Sequence, residues 1–158
     1  MSSRTTKQTK IDALVNAFRV SGNLDRAFDA LAAQELGVNQ TDLHCLNIVE
    51  SRGGVTAGAL ATEAGLTTGA ITGVIDRLER AGYVRRERDA EDRRRVAIVV
   101  TPEFYAAAGG IWGPVKEDWD TTLAARFTGA ELDVVTAFLA ATEELTRRHL
   151  ARLGQAQA

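Results

Sequence analysis

Residues 60–101 have the sequence LATEAGLTTGAITGVIDRLERAGYVRRERDAEDRRRVAIVVT, and two different periodicities follow each other within them. The apolar residues between positions 68 and 81 are spaced i, i+3, i+4 and i+7, which predicts a helix with one buried face. They are Ile71, Val74, Ile75 and Leu78. A shorter helix precedes them, because Thr56 is a suitable cap and Gly65 a suitable break. Two helices joined by a glycine-containing turn indicate a helix-turn-helix.

The pattern changes to an alternation of period two after Tyr83. Val96, Ile98 and Val100 fall on one side of an alternating run, and the segment Asp89-Ala90-Glu91-Asp92 precedes them as a turn. This arrangement predicts a β-hairpin directly after the second helix. The predicted fold class is therefore mainly α with a small β-hairpin wing, a winged helix-turn-helix flanked by N- and C-terminal helices.

A long amphipathic helix is predicted ahead of this region. A stripe of apolar residues at helical spacing runs from Ile11 to Leu31 and is interrupted at Ser21 and Gly22. Gly37 is expected to end that helix. The next helix is expected to start at a cap three residues before an acid, and to close at a pair of glycines. The cap is Asn39, the acid is Asp42, and the glycines are Gly53 and Gly54.

Two further helices are predicted after the hairpin. Thr101 and Pro102 suit a cap and a first helical position. The helix that follows contains several residues that are poor in a helix interior, so we expect a kink or break. These residues are Gly109, Gly110, Gly113 and Pro114. Thr128 and Glu131 have the spacing of a capping box and open the last helix.

The composition excludes several classes of protein. Hydrophobic residues make up 45% and charged residues 25% of the 158, which is typical of a folded domain. The single cysteine, Cys45, excludes an intramolecular disulfide and fits a reducing compartment. Residues 1–10 lack the apolar core of a signal peptide, and no later run is long enough to span a membrane. We therefore expect a cytoplasmic protein.

Catalysis is not expected from these residues. The chain has only two histidines, His44 and His149, and no glycine-rich phosphate-binding loop. No set of nucleophile, base and orienting group is recognisable. We predict that the protein is not an enzyme and that it needs no cofactor or metal ion.

Positive charge is concentrated in one segment. The formal net charge of the chain is −2, but residues 76–95 contain more basic than acidic side chains. The basic ones are Arg77, Arg80, Arg85, Arg86, Arg88, Arg93, Arg94 and Arg95. Such a pattern also occurs on ordinary solvated surfaces, so the surrounding structure has to distinguish that case from a nucleic-acid interface.

The face of the second helix opposite its apolar side is slim and polar. It holds Gly69, Thr72, Gly73, Asp76, Arg77 and Arg80, with Thr67 and Thr68 at the N-terminal end. A recognition helix in the major groove needs short hydrogen-bonding groups near its N-terminus and cations farther along. We therefore predict that this face contacts duplex DNA.

Arginines in the hairpin support this prediction. Arg93, Arg94 and Arg95 follow the turn and can reach the minor groove, whose negative potential attracts arginine. Asp92 and Arg94 are two residues apart, so their side chains point to the same side of a strand. The carboxylate can then hold the guanidinium in place.

Five short motifs lie in this central part of the chain: Leu60-Ala61, Gly65-Leu66-Thr67, residues 76–84 (DRLERAGYV), residues 89–94 (DAEDRR) and Thr101-Pro102-Glu103. Through them the chain resembles the MarR family of bacterial regulators. The flanking helices match that family only in number, order and length. The resemblance implies a homodimer in which the first helix and the last two helices of both copies intertwine. Its two winged helices would meet successive major grooves of DNA.

The resemblance also implies a role for individual residues. Three threonines would face bases, Arg77 would contact a phosphate, and Arg94 would enter the minor groove with Asp92 bracing it. The threonines are Thr67, Thr68 and Thr72. The complete predicted DNA-binding set is Thr67, Thr68, Thr72, Arg77, Arg80, Asp92, Arg93, Arg94 and Arg95.

The chain departs from the family at four positions. Gly69 and Gly73 stand where many members carry a longer polar or basic side chain. A recognition face without long side chains forms few base contacts, so we expect modest sequence specificity. Ala90 replaces a common wing proline and Phe104 replaces a small residue, and neither change threatens the fold.

A small-molecule effector is implied by the resemblance as well. Many relatives release DNA when an aromatic or phenolic molecule enters a crevice between the dimer lobe and the winged helix. Aromatic residues at helical spacing are more often core than ligand-binding, but six side chains could line such a crevice. They are Phe18, His44, Phe104, Tyr105, Trp112 and Trp119.

We divide the chain into a flexible N-terminus (residues 1–10), a helical dimerisation region (residues 11–37 and 102–153) and a winged helix-turn-helix DNA-binding domain (residues 38–101). The predicted function is that of a sequence-specific regulator of transcription. It would act as a homodimeric repressor on a pseudo-palindromic operator and would be released by the effector.

Two alternatives come from other classes of function. Cys45 lies next to His44, which could lower the pKa of the thiol and make the protein a redox-sensing regulator. A cysteine within an apolar helix is, however, more often a buried structural residue. The other alternative is a winged helix that contacts proteins instead of DNA.

Overall fold

The computed structural model describes residues 2–88 and 95–155. Six helices and three strands follow in the order α1 (Ser2–Glu35), α2 (Gln40–Arg52), β1 (Val55–Thr56), α3 (Ala57–Ala64), α4 (Thr68–Arg80), β2 (Val84–Arg88), β3 (Val96–Val100), α5 (Pro102–Arg126) and α6 (Gly129–Gln155). The chain forms two compact units, Met1–Ile111 and Trp112–Ala158. No helix within the described ranges has both the length and the apolar character needed to cross a bilayer.

The first helix begins earlier than the sequence predicted. It begins at Ser2, so the expected flexible segment 1–10 is helical from its second residue. Lys7, Gln8 and Lys10 in this segment are good helix formers, and Gln8 donates a hydrogen bond to Asp12 one turn later (Nε2 to Oδ1, 2.9 Å). The prediction of one long helix is confirmed, since the helix continues through Ser21 and Gly22, where only the apolar stripe is interrupted.

The caps of α2 and α3 were predicted correctly, and of the two threonines at the start of α4 the structure selects Thr67. The side chain of Asn39 accepts a hydrogen bond from the backbone N–H of Asp42 and caps α2. Thr56 caps α3 and Thr67 caps α4 in the same way. The glycines that end α2 and α3 adopt left-handed backbone conformations, which satisfy the last carbonyl groups of each helix. These caps fix the turn between α3 and α4.

A three-stranded antiparallel sheet lies beside the helices, with the strand order β1-β3-β2. The hairpin of β2 and β3 was predicted, whereas β1 was missed because two residues are too short for a periodic pattern. Gly54 makes this pairing possible: its φ is +123°, and a Cβ there would lie 3.0 Å from Cγ1 of Val99. A side chain at residue 54 would therefore push β1 away from β3.

The core of the first unit sits between α2, α3, α4 and the sheet. Its largest fully buried side chains include leucines, isoleucines and valines from all three helices and from β3. They are Leu43, Leu46, Val49, Leu60, Ile71, Val74, Ile75, Leu78 and Ile98. The four residues predicted as the buried face of α4 are all among them.

The helices after the sheet differ from the prediction at one point. α5 is continuous from Pro102 to Arg126 with Pro114 inside it, so of the predicted kink or break the break is wrong. A proline removes one backbone hydrogen bond, and the regular bonds on both sides maintain the helix. The boundary between the two units, at residues 111 and 112, falls in this same glycine-rich segment. The predicted capping box is confirmed, since Thr128 N–H donates to Glu131 Oε2 (2.8 Å) and Glu131 N–H to Thr128 Oγ1 (3.4 Å).

Candidate nucleic-acid interface

The N-terminal end of α4 presents three threonines to solvent. Thr67, Thr68 and Thr72 are all exposed. The oxygen of Thr67 accepts the N–H of Ala70 (3.3 Å), and the hydroxyl of Thr72 donates to the carbonyl of Thr68 (2.9 Å). Thr67 therefore keeps its hydroxyl proton for another acceptor, and Thr72 keeps lone pairs for another donor. These are the short hydrogen-bonding groups that base edges require.

The two glycines on this face differ in their surroundings. A Cβ at Gly69 would have no neighbour within 4 Å, so that position is open. A Cβ at Gly73 would lie 3.5 Å from Nη1 of Arg77, which is ordinary van der Waals contact. The surface over Gly73 is therefore occupied by a guanidinium group instead of a side chain of its own.

Arg77 bridges α4 and α2. Its Nε donates to Oδ2 of Asp42 (3.0 Å) and its Nη2 donates to Oδ1 (2.6 Å), across 35 positions of sequence. The side chain of Arg77 is 44% exposed, whereas that of Asp42 is 3% exposed. This two-pronged pair holds α4 against the start of α2, and it leaves part of the guanidinium facing solvent.

Arg86 ties the wing to the same helix. It lies on β2 and forms ion pairs with Asp76 (3.1 Å) and with Glu79 on the outer side of α4. Both acids would otherwise repel a phosphate backbone. Because Arg86 pairs with both, it offsets part of their charge and fixes the strand beside α4.

Three arginines on this side of the molecule are exposed and have no ion-pair partner within residues 2–88 and 95–155. They are Arg80 on α4, Arg88 at the end of β2 and Arg95 just before β3. Arg85 pairs with Glu87 on the same strand. A surface with unpaired guanidinium groups beside a polar helix end favours a polyanion over an apolar partner.

Six of the nine predicted DNA-binding residues lie within the described ranges. Five are at or on α4, and Arg95 lies just before β3. Asp92, Arg93 and Arg94 lie outside the described residues, as does Ala90. Sequence analysis missed Asp42 and Arg86 as members of this site. Asp42 falls one turn from Leu46 and two turns from Val49, so an acid on a buried helix face was the signal for a buried ion pair.

The predicted effector residues have different environments. Phe104 is 4% exposed and packs edge-on against Tyr83, with the ring centroids 6.0 Å apart, so it belongs to the core. Its neighbour Tyr105 is exposed, and the ring centroids of Tyr105 and Phe104 lie 5.8 Å apart. The exposed His44 lies on α2 and Phe18 on α1, both in the first unit, while Trp112 and Trp119 belong to the second unit.

Cys45 is placed unfavourably for redox sensing. It is 0% exposed, and burial, with the nearby negative charge of Asp42, raises the pKa of the thiol to about 11. The thiolate is the reactive form, so the shift is opposite to the one that a sensor needs. The geometry supports a buried structural cysteine.

Comparison with known proteins gives consistent results. The model of the MarR family matches residues 38–96. A Bacillus subtilis (strain 168) protein named as the uncharacterized HTH-type transcriptional regulator YcgE is 36% identical over 155 residues, covering 98% of this chain and 100% of that protein. Both the matched segment and the full-length similarity include the helix-turn-helix and the first strand of the wing.

Solved structures share the fold. The crystal structure of MarR is 26% identical, with a TM-score of 0.54 over 85% of this chain and 98% of that one. A point mutant of MepR from S. aureus, solved bound to an oligodeoxyribonucleotide, is 20% identical, with a TM-score of 0.53 over 85% of this chain and 96% of that one. The relatives are regulators of transcription and not enzymes, and the same holds for this protein. The chain belongs to the MarR family of transcriptional regulators.

Proposed function

We propose that this protein binds duplex DNA as a homodimer and represses transcription from a pseudo-palindromic operator. The observation that carries the proposal is the outer face of α4. Three exposed threonines occupy its N-terminal end, and Arg80, Arg88 and Arg95, unpaired within the described residues, lie on α4 and at the strands that follow. In this arrangement α4 enters the major groove, with the threonines toward the bases and the arginines toward the phosphates.

The wing completes the proposed contact. β2 and β3 flank residues 89–94 in the sequence, and we propose that Arg94 in this segment enters the minor groove while Asp92 holds it. Arg93 and Arg95 would contact the adjacent backbone. The MepR mutant bound to an oligodeoxyribonucleotide supports this use of the shared fold.

Dimerisation is proposed from the apolar surface of the outer helices. α1 exposes Leu14 at 46% and Phe18 at 44%, and α6 exposes Val134 at 70% and Leu145 at 47%. Apolar rows of this length on two helices indicate an interface with a second copy. A two-fold dimer explains why the operator would have half-sites about one helical turn apart.

The proposal is tested by titrating duplex DNA with the protein at several salt concentrations. We expect a steep loss of affinity with salt and a modest gap between selected operators and random duplexes, since the short side chains on α4 form few base contacts. Arg94→Ala should cost about 1–3 kcal/mol of DNA affinity and leave the melting temperature nearly unchanged.

Arg147→Ala is the matched control, because Arg147 is an exposed arginine on α6 with an i, i+4 partner, Glu143. It should bind DNA as the parent does. A parent protein without duplex binding at low salt would favour a winged helix that contacts proteins. Parental binding by Arg94→Ala would remove the wing from the interface.

Release by a small aromatic or phenolic molecule is the least direct part of the proposal and rests on the family. Of the six residues predicted to line the effector site, Phe104 is buried in the core, and the role of the other five stays a prediction. A phenolic acid such as 4-hydroxybenzoate should quench tryptophan fluorescence and raise the dissociation constant for DNA. If no phenolic acid in a panel produced either effect, that result would count against this class of effector.

A further inference from the structure

Asp42 is unusual within the molecule because it is a buried carboxylate in an otherwise apolar neighbourhood. Among residues 6–88 and 95–154 it is the only charged side chain in the buried set, at 2% exposure. Its backbone N–H donates to the capping oxygen of Asn39 (2.8 Å), which fixes the residue in the first turn of α2. A carboxylate removed from water requires strong partners. Arg77 supplies them, with one guanidinium nitrogen on each carboxylate oxygen.

The side chain of Arg77 is 44% exposed. It lines two clefts between the start of α2 and α4, with volumes of about 570 Å³ and about 380 Å³. A partly exposed arginine beside such clefts has room for more than one rotamer. The pair with Asp42 therefore selects the orientation of the guanidinium, since a planar fork matches a carboxylate in one arrangement.

This orientation determines where the third nitrogen points. Nε and Nη2 are engaged with Asp42, and Nη1 lies over Gly73, 3.5 Å from the position that a Cβ would occupy there. Gly73 is on the outer face of α4, next to the exposed Thr72. Nη1 is thus presented on the surface that faces DNA in the proposed complex.

We propose that Asp42 is a positioning residue for DNA binding. It holds the guanidinium of Arg77 so that Nη1 donates to a backbone phosphate across the side-chain-free surface at Gly73. The inference rests on the proposed function, because it assigns a role only within a complex with duplex DNA.

Electrostatics alone predicts that removing the charge of Asp42 strengthens DNA binding. A carboxylate near a phosphate backbone repels it, so its neutralisation should tighten DNA binding. If Asp42 positions Arg77, its neutralisation should weaken binding, because a mobile guanidinium has to be ordered again when DNA binds. The sign of the change therefore distinguishes the two roles.

The experiment compares the parent with Asp42→Asn by fluorescence anisotropy on one duplex over a range of salt concentrations. Asparagine has nearly the same shape but offers the guanidinium an amide group in place of one oxygen. We expect the dissociation constant to rise about tenfold at fixed salt, and the slope of its logarithm against that of salt to fall by about one, the contribution of one phosphate contact.

Glu63→Gln is the matched control. Glu63 on α3 accepts two hydrogen bonds from Arg52 on α2 (3.1 Å from Nε and 2.9 Å from Nη2), so it too belongs to a two-pronged pair between helices. Its neutralisation should leave the salt slope unchanged and the affinity equal or slightly tighter.

The outcomes separate this inference from the proposed function. Absence of duplex binding by the parent would reject the function itself. Parental or tighter binding by Asp42→Asn, with an unchanged salt slope, would reject only the positioning role. If Asp42→Asn lacks a cooperative melting transition, Arg77→Lys decides, because lysine keeps the charge but cannot form the fork. Binding by Arg77→Lys within about threefold of the parent would then overturn the inference, and a larger loss with a reduced slope would support it.

Discussion

The winged helix and the outer helices place similar apolar side chains in opposite environments. Leu46, Leu60 and Leu78, one from each of α2, α3 and α4, are all 0% exposed. Leu24 of α1 and Leu150 of α6 are 66% and 63% exposed, although they too lie in apolar stripes at helical spacing. Periodicity therefore identifies an apolar face, but it does not reveal whether the same chain covers that face.

Helix length explains part of the difference. The helices that surround the core have 13, 8 and 13 residues, and together with the sheet they cover each other. α1 has 34 residues and is therefore about 50 Å long, which exceeds the width of a small domain. Most of its apolar stripe needs a surface from outside the winged helix.

The largest effect is expected in the core. Leu46→Ala should lower the free energy of unfolding by about 2–5 kcal/mol, because it leaves a cavity among fully buried side chains. The melting temperature should fall equally at all protein concentrations. Leu150→Ala should instead change how the melting temperature depends on concentration, since it acts on association. If both variants lowered the melting temperature equally at every protein concentration, the contrast between the two regions would be contradicted.

The second-largest effect is expected in the reactivity of Cys45, because its thiol has a raised pKa. Burial raises the pKa from 9.0 to about 11, so the native thiol should react with iodoacetamide at pH 8 at least about 100-fold more slowly than the thiol of the urea-unfolded chain. The folded state holds the thiol proton more tightly than the unfolded chain does. This contribution to the free energy of unfolding is fully present below the unfolded pKa of 9.0. That contribution should disappear as the pH rises from 9 to about 11, and Cys45→Ala should lack this part of the pH dependence. Rapid alkylation of the native protein would restore the redox alternative.

The third effect concerns association of the outer helices. Val135 is 45% exposed within the apolar stripe of α6, and Val135→Glu should weaken the proposed dimer about tenfold or more by placing a charge in its interface. Ala140→Glu, on the opposite side of the same helix, is the control and should leave association unchanged. Analytical ultracentrifugation at micromolar concentration measures both. A parent that sediments only as a monomer would show that the stripes serve another purpose.

The smallest effect is expected at the glycines of α4. Gly73→Ala should stabilise the helix by up to about 1 kcal/mol, because the new methyl group meets Arg77 only at an ordinary contact distance. Gly69→Ala, at an open position of the same face, should stabilise it by a similar amount. DNA binding by Gly73→Ala should weaken if the flat surface allows close approach. A stabilised variant that binds DNA unchanged or more tightly would show that this surface carries no such requirement.

Local signals in the sequence were sufficient for most of the winged helix. The caps at Asn39, Thr56 and Thr67 were recognisable because each is a short-range hydrogen bond within three residues. The buried face of α4 followed from spacing alone, and its four residues are 0–2% exposed. The exposed threonines and Arg80 followed as the opposite face of the same helix.

Three details of the secondary structure were not predicted, and the first of them depends on a contact between residues that are distant in sequence. β1 exists because Gly54 lets two residues pair with β3, and two residues carry no period. Pro114 was expected to kink or break α5, and the helix continues through it without a break. The start of α1 at Ser2 shows that a polar segment without glycine or proline can extend an existing helix.

By itself the sequence determined the order of helices and hairpin, the polar outer face of α4 and the family, because these depend on neighbours along the chain. Only the tertiary structure decided which charges are paired. Arg77 had the same formal charge as Arg80 and lies on the same helix, yet it is joined to Asp42 across 35 positions while Arg80 remains open to solvent. Ion pairs between helices depend on how buried faces pack together, and that packing arises from apolar contacts throughout the core rather than from the residues that form the pair.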